Sequence, residues 1–159
     1  MPDIWLTTVG PLRGFYKEGV EEYARRLSAS ARFHLQAVRP EPLPAHVTPS
    51  GSERIQAREA ERLRLHQPQQ AWLIALTPGG PAYDTLEFAR HLKDWWEQSG
   101  QRLAFVIGGT LGLHPSLVAV STQQLSLSRL TFAHELAALV LMEQLYRAFR
   151  IIRGEPYHY

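Results

Sequence analysis

Apolar and polar positions alternate along the chain in runs of two kinds, and their order predicts a layered protein of strands and helices. Asp3–Val9 is a strand-like run ended by Gly10-Pro11, after which apolar residues recur at helical spacing over 15–27, with Glu21, Glu22, Arg25 and Arg26 outside. Arg32–Val38 sets Phe33, Leu35 and Ala37 against His34 and Gln36, the period of a half-buried strand. Pro40, Pro42, Pro44 and Pro49 with Ser50, Gly51 and Ser52 predict a surface loop. The charged stretch 53–66 predicts a helix lying on the outside, since Ile55, Leu63 and Leu65 are nearly its only large apolar residues.

Trp72–Leu76 is a continuous apolar run, which suits a strand covered on both faces. The turn Thr77-Pro78-Gly79-Gly80-Pro81 ends it, and Asp84 or Thr85 can cap a helix carrying Leu86, Ala89, Leu92, Trp95 and Trp96. A second apolar strand over 103–107 runs into Gly108-Gly109 and Gly112, followed by a short helix at 116–120, a strand at 125–127 and a long helix from 135 to about 151. Strands separated by helices imply right-handed crossovers. The expected class is α/β, a mostly parallel sheet flanked by helices, in one domain spanning 1–159.

Composition narrows the chemistry. Hydrophobic residues are 45% and charged residues 20% of the 159, as in ordinary globular proteins. A formal charge of +2 permits a nucleic-acid partner without demanding one. The absence of cysteine excludes disulfides, thiolate nucleophiles, zinc ribbons and iron–sulfur clusters. No secretory leader pattern is present, and the most apolar run, 136–142, falls far short of the roughly 20 residues of a membrane span. A cytoplasmic location with no membrane partner is the expectation.

In open α/β sheets, ligands gather beyond the C-terminal strand ends. Three loops qualify, 76–83, 107–113 and 127–134. Neither glycine pair fits a Walker or dinucleotide motif, no HExxH or GxSxG occurs, and the seven histidines are scattered, so no metal is expected. At the C-terminus, Arg147, Arg150 and Arg153 recur at spacing three before Tyr157-His158-Tyr159. These arginines have two readings, helix-end stabilisation by the macrodipole or a grip on RNA phosphates and an extruded base. The tail is either docked or frayed.

Further residues carry a resemblance. Phe105-Val106-Ile107-Gly108-Gly109 with Gly112-Leu113-His114, Leu125-Ser126-Leu127-Ser128, Leu130-Thr131-Phe132, the run from Glu143 to Ile151 and the closing Tyr157-His158 resemble the RlmH family of ribosomal RNA large subunit methyltransferases. The likeness covers essentially the whole chain, including Val9-Gly10 and Glu22-Tyr23-Ala24-Arg25-Arg26-Leu27. It implies a small SPOUT methyltransferase with a C-terminal trefoil knot within about 71–159, binding S-adenosylmethionine and working as a homodimer with its site at the subunit interface. The implied substrate is N3 of a pseudouridine in helix 69 of 23S rRNA, on the assembled ribosome. By motif, the cofactor falls to Leu76, Gly108, Leu127, Ser128, Arg129, Leu130, Thr131 and Phe132. Ala133 departs from the proline common there, Thr110-Leu111 is more apolar than the pattern, and Pro40 to Pro49 replaces a charged loop.

An imide nitrogen attacks only as its proton leaves, so a base is needed: His158 first, His134 second. Arg147 would stabilise charge on the base carbonyls, and Tyr157 would stack on the extruded base or hydrogen-bond it. Leu136, Leu139, Val140, Leu141 and Leu145 make the last helix apolar over much of its circumference, which suits either a core helix or an interface where one subunit's tail completes the partner's pocket. Two other functions fit the same residues, a ribosome-binding factor that keeps the fold without activity and a nucleotide-using α/β enzyme of another kind.

Overall fold

A computed structural model describes residues 1–157. The elements in chain order are β1 (Asp3–Val9), α1 (Gly14–Leu27), β2 (Arg32–Val38), α2 (Pro49–Leu65), β3 (Trp72–Leu76), α3 (Thr85–Gln98), β4 (Arg102–Ile107), α4 (Pro115–Val120), β5 (Gln123–Leu125) and α5 (His134–Ile152). The strands form one parallel sheet in the order β2-β1-β4-β3-β5, with Ile4 opposite Leu103, Ile74 opposite Phe105 and Leu76 opposite Leu125. The α/β expectation holds.

Side-chain alternation sends the strand residues to two cores. On one face Ile4, Leu6, Ile74, Leu103 and Phe105 meet α1, α3 and α5 through Val20, Leu92, Leu141, Met142 and Leu145, all fully buried. On the other face Val9, Val38, Ala75 and Val106 meet Ala60 and Leu63 of α2 and Leu117 of α4. Most of the two central strands, β1 and β4, is therefore sealed on both sides.

Four local expectations need correction. The loop predicted through Ser52 ends at Thr48, whose hydroxyl accepts the Gly51 N–H at 3.0 Å, and Pro49 opens α2 where a missing N–H costs nothing. The last strand lies two residues earlier than its apolar pattern suggests, which leaves Leu127 in the loop. Of the apolar face of β2, only Phe33 packs on the core, while Leu35 and Ala37 are exposed because β2 is an edge strand. Helix α2 is not simply an outer helix, since it buries Ile55, Glu59, Ala60 and Leu63.

The cap of α3 is Asp84: its carboxylate accepts the Glu87 N–H at 2.7 Å while Glu87 accepts the Asp84 N–H at 2.9 Å. Asp84→Ala is expected to cost about 1 kcal/mol in urea unfolding, with no change in slope.

After β5 the chain does not stay at its edge of the sheet. Ser126 pairs with the loop after β3, its N–H donating to the Pro81 carbonyl at 2.9 Å, yet His134 packs against Gly10 at the end of β1. Segment 126–133 therefore passes over the ends of β3 and β4, about 14 Å at the usual strand spacing. Gly10, at φ +95°, is required there, because a Cβ would come within 3.2 Å of His134 Nε2. Among the described residues, no helix is long and apolar enough to cross a membrane.

Candidate functional site

The loops that follow β3, β4 and β5 close around one cleft. Its apolar walls include Leu76, Ile107, Leu113, Leu127, Leu130 and Phe132; Thr77, Thr110, Ser126, Ser128 and Thr131 supply hydroxyls, and His134 and Ala137 close it from α5. Among the described residues, no Asp, Glu, Lys or Arg lines it. Two turns hold its shape. Gly112, at φ +80°, donates its N–H to the Gly109 carbonyl at 3.0 Å and folds back over Gly108. The Ser128 hydroxyl accepts the Leu130 N–H at 3.0 Å, and the Ser126 hydroxyl donates to the Ser128 carbonyl at 2.9 Å. Leu76, Gly108, Leu127, Ser128, Leu130, Thr131 and Phe132, named from sequence, all line this cleft. Arg129 is exposed and is not among the lining residues.

A second cleft lies beyond the wall formed by Gly109, Thr110 and His134. Arg13, Glu41, Glu59 and Glu135 enter it, between apolar surfaces from Val9, Pro11, Leu43, Ile55 and Leu111. His134 Nε2 is buried there without a hydrogen bond among the described residues, with the nearest Glu135 oxygen 3.9 Å away. Glu59 is only 4% exposed; its Oε2 accepts the Glu41 N–H at 3.0 Å. Burial pushes its carboxyl above the ordinary range, opposed by the Glu41 amide and by Arg62. Glu41 instead is held below it by Arg62 and Arg58. Sequence reading missed Glu59 amid the charges of α2, although its spacing of four from Ile55 and Leu63 puts it on the buried stripe.

The tail residues form a third group. The Arg147 guanidinium donates to Glu143 Oε1 at 2.6 Å and to the Tyr157 carbonyl at 3.3 Å, and lies 4.6 Å from the Tyr157 ring centroid. The Glu143 hydrogen bonds raise the Arg147 pKa, so its charge is permanent. Tyr157 packs edge-on against Tyr146 at 4.9 Å, and burial with a Tyr23 hydrogen bond raises its pKa, keeping it a neutral phenol. Arg150 and Arg153 tie down the end of the helix through Glu155, and Arg153 also donates to the Ser30 hydroxyl at 2.7 Å. The chain is thus docked through Tyr157. His158, the first candidate for the base, lies outside the described residues.

The structure brings His134 to the cleft and holds Arg147 with Tyr157, but it keeps these groups apart. Thirteen residues separate His134 from Arg147 on one helix, about 20 Å along its axis. Neither Arg147 nor Tyr157 lines either cleft. Among the described residues, no cluster of three potential metal ligands occurs.

A family model described as "Predicted SPOUT methyltransferase" matches residues 3–158. The chain is 41% identical to Ribosomal RNA large subunit methyltransferase H of Symbiobacterium thermophilum, over 98% of each chain. It is 39% identical to the protein of the same name from Listeria monocytogenes EGD-e, over 98% of this chain and 99% of that one. Among solved structures, a probable methyltransferase from Bordetella pertussis Tohama I matches with a TM-score of 0.53 at 14% identity, covering 93% of this chain and 96% of that chain. A TrmH/SpoU tRNA modifying enzyme of A. aeolicus matches with a TM-score of 0.50 at 11% identity, over 96% and 77%. These two likenesses concern the fold alone.

Proposed function

The chain belongs to the SPOUT methyltransferase family and is an S-adenosylmethionine-dependent RNA methyltransferase, and from that premise we propose that it methylates N3 of a pseudouridine in helix 69 of 23S rRNA. It acts on assembled ribosomes in the cytoplasm as a homodimer. The rRNA substrate is supported by whole-chain identity to relatives named for rRNA methylation, and the homodimer by the distance of about 20 Å along α5 between the cleft and the Arg147–Tyr157 pair. One base cannot touch both ends of one helix. A two-fold partner running the other way lays its tail over the cleft. Phe15, Leu130 and Leu136, exposed at 69%, 74% and 36%, supply apolar surface for that contact.

The first cleft fits the cofactor: its apolar walls suit an adenine ring, while the hydroxyls and the Gly108–Gly112 and Leu127–Phe132 backbones suit a ribose and an amino-acid end. When bound, S-adenosylmethionine supplies an electrophilic methyl group on sulfur. Leu76, Gly108, Leu127, Ser128, Leu130, Thr131 and Phe132 would hold it, with Arg129 at the outer edge of the same loop. For N3 to act as the nucleophile its proton would have to pass to a base of the protein. His158 of the partner subunit is the first candidate and His134, in the cleft wall, the second. Arg147, fixed by Glu143, would face the negative charge developing on the base carbonyls, and the Tyr157 phenol would stack on the base or hydrogen-bond it. The passage of 126–133 over the ends of β3 and β4 supports a trefoil knot within 71–159.

The test is transfer of labelled methyl from S-adenosylmethionine to ribosomes lacking the modification, followed by mass mapping of the helix 69 fragment. Label on a helix 69 pseudouridine is expected. Transfer to another RNA, or none, would overturn the substrate assignment.

A further inference from the structure

The second cleft adjoins the first across Gly109, Thr110 and His134, and it contains a nearly sealed carboxyl that the chemistry above does not use. A buried side chain that leaves one oxygen open to a cleft offers that oxygen to whatever enters it. Glu59 uses Oε2 on the Glu41 N–H, whereas Oε1 has no hydrogen bond among the described residues and lies beside Gly109 in the shared wall. Val9, Pro11, Ile55 and Leu111 give the cleft apolar walls, and Glu41, Glu135, His134 and the exposed Arg13 line it as well. Of the three carboxylates that line it, Glu41 is engaged by Arg58 and Arg62 and Glu135 lies nearest to His134, which leaves Glu59 Oε1 as the acceptor set between apolar walls, an arrangement that suits the polar edge of a planar base.

We propose that this second cleft receives the acceptor base and that Glu59 accepts the N1–H that distinguishes a pseudouridine from a uridine. The inference rests on the pseudouridine reading given above. In pseudouridine the sugar is joined to carbon, which leaves N1 as a free donor on the far side of the C2 carbonyl from N3. Directing N1–H to Glu59 turns N3 towards the shared wall, where His134 and the first cleft meet. A uridine turned the same way presents C–H to the carboxyl and leaves it unpaired, which the site rejects. Glu59 is then a specificity residue, and the hydrogen bond it lacks within its own chain is the one the substrate supplies.

The experiment measures kcat/KM of the full-length dimer on assembled ribosomes carrying pseudouridine, uridine or N1-methylpseudouridine at the target position. The wild type is expected to prefer pseudouridine by roughly tenfold or more over both others. Glu59→Ala is expected to bring the pseudouridine-to-uridine ratio close to one with cofactor affinity unchanged, and Glu59→Gln, which keeps an acceptor, to retain most of the ratio. A loss in Glu59→Ala that is equal on both substrates would mark a purely structural residue and overturn the proposal. Equal use of N1-methylpseudouridine and pseudouridine by the wild type would overturn it without any variant. Failure of the wild type on all three substrates overturns the parent reading and this one with it, whereas transfer without discrimination overturns this one alone.

Discussion

Two inactive variants, Gly108→Val in the cleft and Arg147→Ala in the tail, are expected to regain methyl transfer when paired in one dimer. Alone, Arg147→Ala should lose on the order of 100-fold in kcat with cofactor affinity retained, because a charge placed for the transition state is removed. Gly108→Val should bind no cofactor. In a mixed dimer one site unites an intact cleft with an intact tail, and the other carries both defects. Random pairing should therefore recover about a quarter of wild-type activity, and a purified heterodimer about half. The reason lies in α5, which carries the cleft residue His134 on its first turn and Arg147 about three and a half turns beyond. Differently tagged chains, co-expressed and purified through both tags, provide the measurement. No recovery would mean that each chain bends its own tail to its own cleft.

Gly108→Ala is expected to weaken cofactor binding by about 100-fold, or close to 3 kcal/mol. A single methyl suffices because of what it meets. The added Cβ would lie 2.7 Å from the Gly112 carbonyl carbon and 2.8 Å from the Leu113 nitrogen, and backbone cannot swing aside as a side chain does. The Gly109–Gly112 turn must open, taking with it the wall of both clefts. Gly79→Ala is the matched control: its Cβ meets nothing within 4 Å, so binding should stay at the wild-type level. Titration calorimetry on both variants, with thermal unfolding alongside, separates a lost site from a lost fold.

Much of this architecture is legible in local pattern. The bounds of β1, β2 and β3 follow from apolar runs and alternation, and the three ligand loops from the rule that strand ends collect ligands. What local pattern lacks is the neighbour. Leu35 looks like a core residue until β2 proves to be an edge strand. Pro49 looks like loop until Thr48 turns to cap it. Glu59 looks solvated because charges surround it in sequence, although its helical spacing from Ile55 and Leu63 turns it inward. The separation of Arg147 from the cleft is arithmetic on one helix, but it has meaning only once His134 is seen to stand in the cleft wall.

The sheet order also dictates how the protein reaches its native state. Asp3 pairs with Arg102 and Ile74 with Gln123, so the strand pairings of the central sheet close long loops, and such topologies fold slowly. The cleft needs β5 in place and 126–133 laid across the strand ends before its third wall exists. A partly folded chain accordingly holds no cofactor. Binding then draws only on the finished molecule, and a cofactor present at 100 times its Kd adds about 2.7 kcal/mol to the whole fold. The small molecule that serves as methyl donor is thereby also the last brace of the structure that uses it.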